Sequence, residues 1–176
     1  MIETDRLILR PWREADRAPF LAMSADPEVM YWLGGVPTPA DANARFERFA
    51  GGIAKRGFSR FAIERRDDGA FLGYCGLAPV PAGLPVSGIE AGWGLVRSAW
   101  GFGYAARASR AAVDDGFARL GFDEIIAFTA DTNLRSQAVM ARAGLARDIG
   151  RDFDHPSLPS GDPLRRHRVY AARRPQ

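Results

Sequence analysis

The sequence predicts an α+β fold: a largely antiparallel central β-sheet flanked by helices. Three observations predict it. First, strand-like and helix-like runs succeed one another in the order β-α-α-β-β-β-α-β-α-β-β. Second, the three consecutive strand-like runs have no helix between them, and an Asp-Gly pair joins the first two, as in a meander. Third, a glycine-rich turn, Trp100-Gly101-Phe102-Gly103-Tyr104-Ala105, connects a strand-like run to a helix-like one.

The elements follow from local chemistry. Residues 6–12 alternate as a first strand, and residues 14–25 read as a helix. Asp26-Pro27 restarts a short helix, with Pro27 at a first helical position. Thr38-Pro39-Ala40-Asp41 combines a Thr cap, Pro at N1 and an acid at N3, which starts a further helix. Phe46, Phe49 and Ile53 lie on one face of that helix, and Gly51-Gly52 weaken its last turns. Residues 58–65 and 70–78 flank the hairpin signal Arg66-Asp67-Asp68-Gly69. A Pro- and Gly-rich loop, 79–85, leads to a strand over 87–96 and, past the glycine turn, a helix over 103–120. Residues 125–129 form a short buried-looking strand, and the helix at 133–143 closes at Gly144. Two final strands are expected near 145–153 and 166–172, with a turn-rich loop from His155-Pro156 to Pro163 between them.

The bulk numbers bound the class. At 176 residues, with 47% hydrophobic and 26% charged residues, the chain fits one ordinary soluble domain spanning 1–176. No signal peptide and no membrane-length apolar run is visible, which points to a cytoplasmic protein. The single cysteine, Cys75, lies in an apolar run and reads as a buried, inert thiol. The net charge of +3 is carried almost wholly by arginine, since Lys55 is the only lysine. Those arginines are scattered, with one cluster at Arg165-Arg166-His167-Arg168 that reads as a solvated strand, so nucleic-acid binding is disfavoured. No His/Cys/Asp group has metal-ligand spacing, so no metal is expected.

The glycine turn carries the chemistry. Glycines let a backbone approach a ligand closely. The first N–H groups of a helix have no intrahelical partner, and the helix dipole adds positive charge there. A strand, a glycine turn and a helix N-terminus therefore suit a pyrophosphate. No Lys-Ser/Thr pair follows the glycines, which argues against a P-loop. The turn comes after a meander instead of a first strand, which argues against a dinucleotide fold.

Five segments in order carry a family resemblance. Thr4-Asp5-Arg6-Leu7-Ile8-Leu9-Arg10-Pro11 resembles an opening T-x-R-L-x-L-R strand, and Asp26-Pro27-Glu28-Val29-Met30 a following D-P-E-V. Glu90-Ala91-Gly92-Trp93-Gly94-Leu95 resembles a fourth strand, and residues 100–105 the W-G-x-G-Y-A acetyl-CoA loop. Asn133-Leu134-Arg135-Ser136, closing at Gly144, resembles an N-x-x-S…G-F helix. Together they are similar to GNAT-type N-acetyltransferases of the RimJ/RimL branch, over nearly the whole chain.

The resemblance implies a GNAT-like fold and acetyl-CoA as acetyl donor. It implies direct attack of a primary amine on the thioester. Trp100, Gly101, Phe102, Gly103, Tyr104, Ala105 and Ala106 would form the cofactor turn, mainly through backbone N–H, with Tyr104 packing on the cofactor side. Leu95 and Val96 would pair with the pantetheine arm, and the N–H of Val96 or its neighbour would face the carbonyl oxygen under attack. Asn133 would bond the same arm or act as a plain helix cap, and Arg142 would reach an adenosine phosphate or remain solvated. Glu90 is the candidate general base, directly or through a water, its alternative being a solvent-facing or ion-paired strand acid. Ser136 is the candidate donor to the departing thiolate and a further cofactor contact. Many relatives place a Tyr seven residues after the Asn for that purpose, and here the position is Met140.

For the acceptor, Tyr31, Trp32, Asp154 and His155 are the candidate contacts, with Asp152 a further acid in the same segment. His167 reads as structural. The acceptor amine would be a peptide N-terminus or a small molecule, and dimers are common in the family, so a homodimer is among the expected assemblies. Phe102 and Arg107 depart from the family's usual Lys or Arg and Glu. They keep open a second reading, a non-catalytic acyl-CoA-binding or sensing module on the same fold.

Overall fold

The computed structural model describes residues 1–175. A nine-stranded mixed sheet forms its centre, in the order β1-β2-β3-β4-β5-β6-β9-β7, with β8 also paired to β9. The strands are β1 (Ile2–Glu3), β2 (Leu7–Arg10), β3 (Arg60–Arg65), β4 (Phe71–Pro79), β5 (Ile89–Leu95), β6 (Glu124–Ala130), β7 (Ala146–Arg147), β8 (Phe153–Asp154) and β9 (Arg166–Arg173). The helices are α1 (Arg17–Ser24), α2 (Pro27–Met30), α3 (Pro39–Arg56), α4 (Tyr104–Ala118) and α5 (Leu134–Arg142). This is the α+β plan expected.

Helices cover both faces. Residues of α4 pack with Leu9, Ile63, Cys75 and Leu95, and Met140 of α5 joins Val113 and Ile125 on the same side. Phe20, Met23, Met30 and Phe46 of α1, α2 and α3 pack with Tyr74 on the other side. Cys75 is fully buried, and burial pushes its thiol up to about 11, so it stays protonated at neutral pH.

Local signals place most boundaries. Thr38 accepts from the Asp41 N–H at 3.1 Å and starts α3 with Pro39 at N1. Helix α3 runs through Gly51-Gly52 to Arg56 because Gly52 is a contact site: a Cβ there would lie 2.3 Å from Ser59 Oγ. Helix α5 ends in a Schellman motif, with the Gly144 N–H on Ala141 O and the Leu145 N–H on Met140 O.

Two expectations change. The first strand stops at Arg10, since Trp12 turns into the core and donates Nε1 to Arg60 O at 2.7 Å. The single strand expected near 145–153 is broken into β7, a 3-10 turn at Ile149–Arg151, and β8. The break folds the Asp152 carboxylate under β9, where it accepts from Arg147, Arg168 and the Val169 N–H.

The site is set by β5 and β6. They are parallel neighbours, yet their register holds at one pair, Glu90↔Ile126. Beyond it each strand follows its antiparallel partner. Strand β5 stays with β4 as far as Leu95↔Gly73, and β6 stays with β9 as far as Ala130↔His167. The C-terminal halves therefore part and leave a split in the sheet, directly before the glycine turn.

Candidate active site

The turn after β5 is built to receive an anion. Gly101 and Gly103 have φ of 85° and 77°, a left-handed conformation that side chains rarely adopt. A Cβ on either would meet nothing within 4 Å, so the backbone there fronts open space. Among the described residues, none of the six N–H groups from Gly101 to Ala106 donates to a protein acceptor; the next, that of Arg107, bonds Gly103 O at 3.1 Å. Six free N–H groups at the positive end of a 15-residue helix fit a pyrophosphate. Phe102 is 59% exposed, while Tyr104 is buried. Arg6 clamps the turn, with Nη2 on the Tyr104 hydroxyl at 3.0 Å and Nη1 on Phe102 O at 3.3 Å. Tyr104 thus anchors the turn by its ring and offers a ligand its N–H.

At the mouth of the split the expected donor changes. The Val96 N–H already bonds Leu72 O at 3.0 Å, and Val96 O accepts from Ala99. Neither a pantetheine amide nor a carbonyl oxygen can take that N–H. Strand alternation turns the neighbouring Leu95 N–H away from β4 and toward the split. Leu95 O accepts Trp100 Nε1 at 3.0 Å, which fixes the indole beside the opening.

Glu90, Gly92 and Gly94 share one face of β5, the α1–α3 face. Arg60 spans them. Its Nη1 donates to Gly76 O at 2.5 Å and Glu90 O at 2.9 Å, and its Nη2 to Glu90 Oε2 at 2.7 Å. Glu90 is ion-paired through Oε2, while Oε1 has no protein partner among the described residues, so one carboxylate oxygen stays available. A Cβ at Gly92 would lie 2.6 Å from the Arg60 guanidinium, and one at Gly94 2.8 Å from the Tyr74 ring. Arg60 and Tyr74 were missed in sequence reasoning. Their signal is the period-two glycine pair, which says that something large crosses that face.

At the other lip, Asn133 is a buried helix cap. Its Oδ1 accepts the Ser136 N–H at 3.2 Å, and its Nδ2 donates to Thr129 Oγ1 at 2.9 Å. The half-buried Ser136 hydroxyl has no protein partner among the described residues. Met140 is 1% exposed and packs in the core. Arg142 is exposed.

The acceptor candidates separate. Tyr31 and Trp32 line an open cleft of about 300 Å³ with Pro27, Glu28, Trp100 and Arg135. Asp154 and His155 do not line it. Asp154 faces Arg165 and Arg166 at 3.4 and 3.3 Å, and His155 packs 5.2 Å from His167, beside Phe153. Asp152 is also committed, to Arg147 and Arg168, with its side chain 1% exposed.

A parallel pair that splits ahead of a turn rich in free N–H groups suits an acyl-CoA, whose thioester arm would enter the split. The sequence profile of the Acetyltransferase (GNAT) domain matches residues 6–146, and the chain belongs to the GNAT family. It is an acyltransferase with acetyl-CoA as its acetyl donor. It is 30% identical over 143 residues to the uncharacterized protein YkkB of Bacillus subtilis, covering 81% of this chain and 83% of that one. It is 32% identical over 152 residues to an FsC-acetyl coenzyme A-N(2)-transacetylase of Aspergillus fumigatus, covering 82% of this chain and 64% of that longer one. An acetyltransferase structure from Agrobacterium tumefaciens superposes with a TM-score of 0.80 at 27% identity, covering 98% of this chain and 94% of that one.

Proposed function

We propose that this protein, a member of the RimJ/RimL-like branch working in the cytoplasm, moves an acetyl group from acetyl-CoA to the primary amine of a peptide N-terminus or small molecule. The run of six free N–H groups at the glycine turn carries this reading. Bound there, acetyl-CoA supplies an activated acyl carbon. The N–H groups of residues 101–106 hold its pyrophosphate, and the chain's own residues then act on the amine and the acyl group.

Glu90 takes the proton from the amine through Oε1, directly or through one water, while Arg60 holds Oε2 and so aims the carboxylate. The Leu95 N–H faces the oxygen of the carbonyl under attack and offsets the charge that develops on it. The Ser136 hydroxyl gives a hydrogen bond to the sulfur as it leaves. Tyr31 and Trp32 receive the acceptor from the α1–α3 side, where Glu90 also lies.

The test is Glu90→Gln, which keeps a partner for Arg60 and removes the base. Turnover should fall about 100-fold or more, the scale of general-base catalysis, with acetyl-CoA affinity by calorimetry unchanged. Undiminished turnover would remove Glu90 from the mechanism. A protein that binds acetyl-CoA and acetylates none of a broad amine panel would favour the sensing-module reading.

A further inference from the structure

The cleft at Trp100 has a charge pattern that selects a class of acceptor. Three aromatic side chains form its walls. Tyr31 and Trp32 meet edge to face with centroids 4.8 Å apart, and Trp100 stands opposite with its Nε1 tied to Leu95 O at the mouth of the split. Two charged side chains line it. Glu28 is neutralised in place by a close ion pair with Arg97, which also lies 3.9 Å from Asp26. Arg135 lies over the Trp100 ring, its guanidinium carbon 5.1 Å from the centroid. Among the described residues Arg135 has no hydrogen-bond or ion-pair partner; Arg45, Arg48, Arg56 and Arg142 share that, but of these five only Arg135 lines the cleft. Nor does Arg135 serve helix α5, since a cation in a helix's first turn opposes the helix dipole. Held over an indole and without a protein partner, the guanidinium keeps its N–H donors free, and such a group can receive a carboxylate on two parallel bonds.

We infer that the acceptor is an aromatic amine that bears a carboxylate, of the kind a free aromatic amino acid represents: Arg135 takes the carboxylate, Tyr31, Trp32 and Trp100 take the ring, and the amine points to the split. This rests on the acetyltransferase reading above. A volume of about 300 Å³ is at the small end of ligand pockets and suits such a molecule. A polyamine is disfavoured, because its positive charges would meet an unpaired guanidinium and no free carboxylate. The anion on Arg135 has one other source, a phosphate of the donor. The acceptor is preferred because the free N–H groups at Gly101 to Ala106 already serve the donor's pyrophosphate.

The experiment compares wild type with Arg135→Gln in steady-state kinetics with phenylalanine, phenethylamine and spermidine. Phenylalanine and phenethylamine differ only in the carboxylate. Wild type should prefer phenylalanine over phenethylamine in kcat/KM by about 10- to 100-fold, the range of a charge-assisted pair. Arg135→Gln should erase that preference by raising KM for phenylalanine alone, with the acetyl-CoA KM unchanged. A preference for phenethylamine or spermidine overturns the inference, as does a preference that survives the substitution. A rise confined to the acetyl-CoA KM also overturns it and assigns Arg135 to the donor. Calorimetry of phenylalanine into the CoA-loaded protein separates this inference from the one beneath it. Carboxylate- and Arg135-dependent binding without turnover supports the cleft and refutes acetyl transfer, whereas absence of binding refutes the cleft.

Discussion

Asp152 was readable as an acid beside the acceptor and is instead a buried structural anion. Burial alone would raise its carboxyl, but the bonds from Arg147, the Val169 N–H and Arg168 outweigh it and hold it at about 2. A folded value below the unfolded 3.8 means stability that is present above about pH 4 and lost as the pH falls toward 2. Asp152→Asn should cost about 3 kcal/mol in urea unfolding at neutral pH, because it leaves two arginines without their shared partner. Gly94 is likewise fixed by a residue on a neighbouring strand. A methyl group there meets the buried Tyr74 ring at 2.8 Å, so Gly94→Ala should cost about 2 kcal/mol by overpacking. An unchanged denaturation midpoint would show that the ring can yield. At this scale sequence names residue types well and their partners poorly. Glu90 was open between a base and an ion-paired acid, and only its contact with Arg60, 30 residues away, fills in the environment.

Helix α4 is legible in the sequence, because its signals are all local: glycines at the turn and an amphipathic run behind them. It also offers a test in which stability and binding move oppositely. Ala106 is at the third position of α4, where an acid suits the helix dipole. Ala106→Glu should therefore leave thermal stability equal or slightly raised. The same charge lies among the free N–H groups and should weaken acetyl-CoA binding about 10-fold or more by calorimetry. Retained affinity would move the donor site off this turn. Strand β9 was also expected, but not what lies on it. The His167 ring stacks on Phe153 at 5.2 Å. Burial lowers its pKa below 6.5, with the Arg165 carbonyl opposing and His155 reinforcing the shift. The unfolded chain then binds the proton first on acidification, so stability should decline as the pH drops below about 6.5. Comparing urea midpoints at pH 5.5 and 7.5 checks this; His167→Phe should flatten the difference. The strand expected near 145–153 was misread because a buried carboxylate, invisible to periodicity, pulls the chain out of line at Asp152.

The molecule as a whole is a sheet parted at one point, with the turn proposed for the donor at the end of one strand and the cleft proposed for the acceptor beside it. Ligand that binds only the folded state raises stability by mass action. Acetyl-CoA at about 100 times its Kd should raise Tm by about 5–10 °C in a chain of this size, and Ala106→Glu should cut the rise to about half or less at the same concentration. A shift in the variant equal to that of wild type would contradict the placement of the donor.

What the sequence by itself determined is whatever depends on neighbours a few residues away. That covers the succession of elements, the Thr38 cap, the Schellman end of α5, the hairpin at Gly69 and the glycine turn at Gly101 and Gly103. These are fixed by periodicity, turn chemistry and backbone conformation. Tertiary structure alone decided where β5 and β6 part, that Leu95 and not Val96 has the unclaimed N–H, that Arg60 holds Glu90, and that Arg135 lies over Trp100 without a partner. Each of these joins groups from separate elements. Such contacts arise from packing both faces of the sheet at once, and no local pattern encodes them.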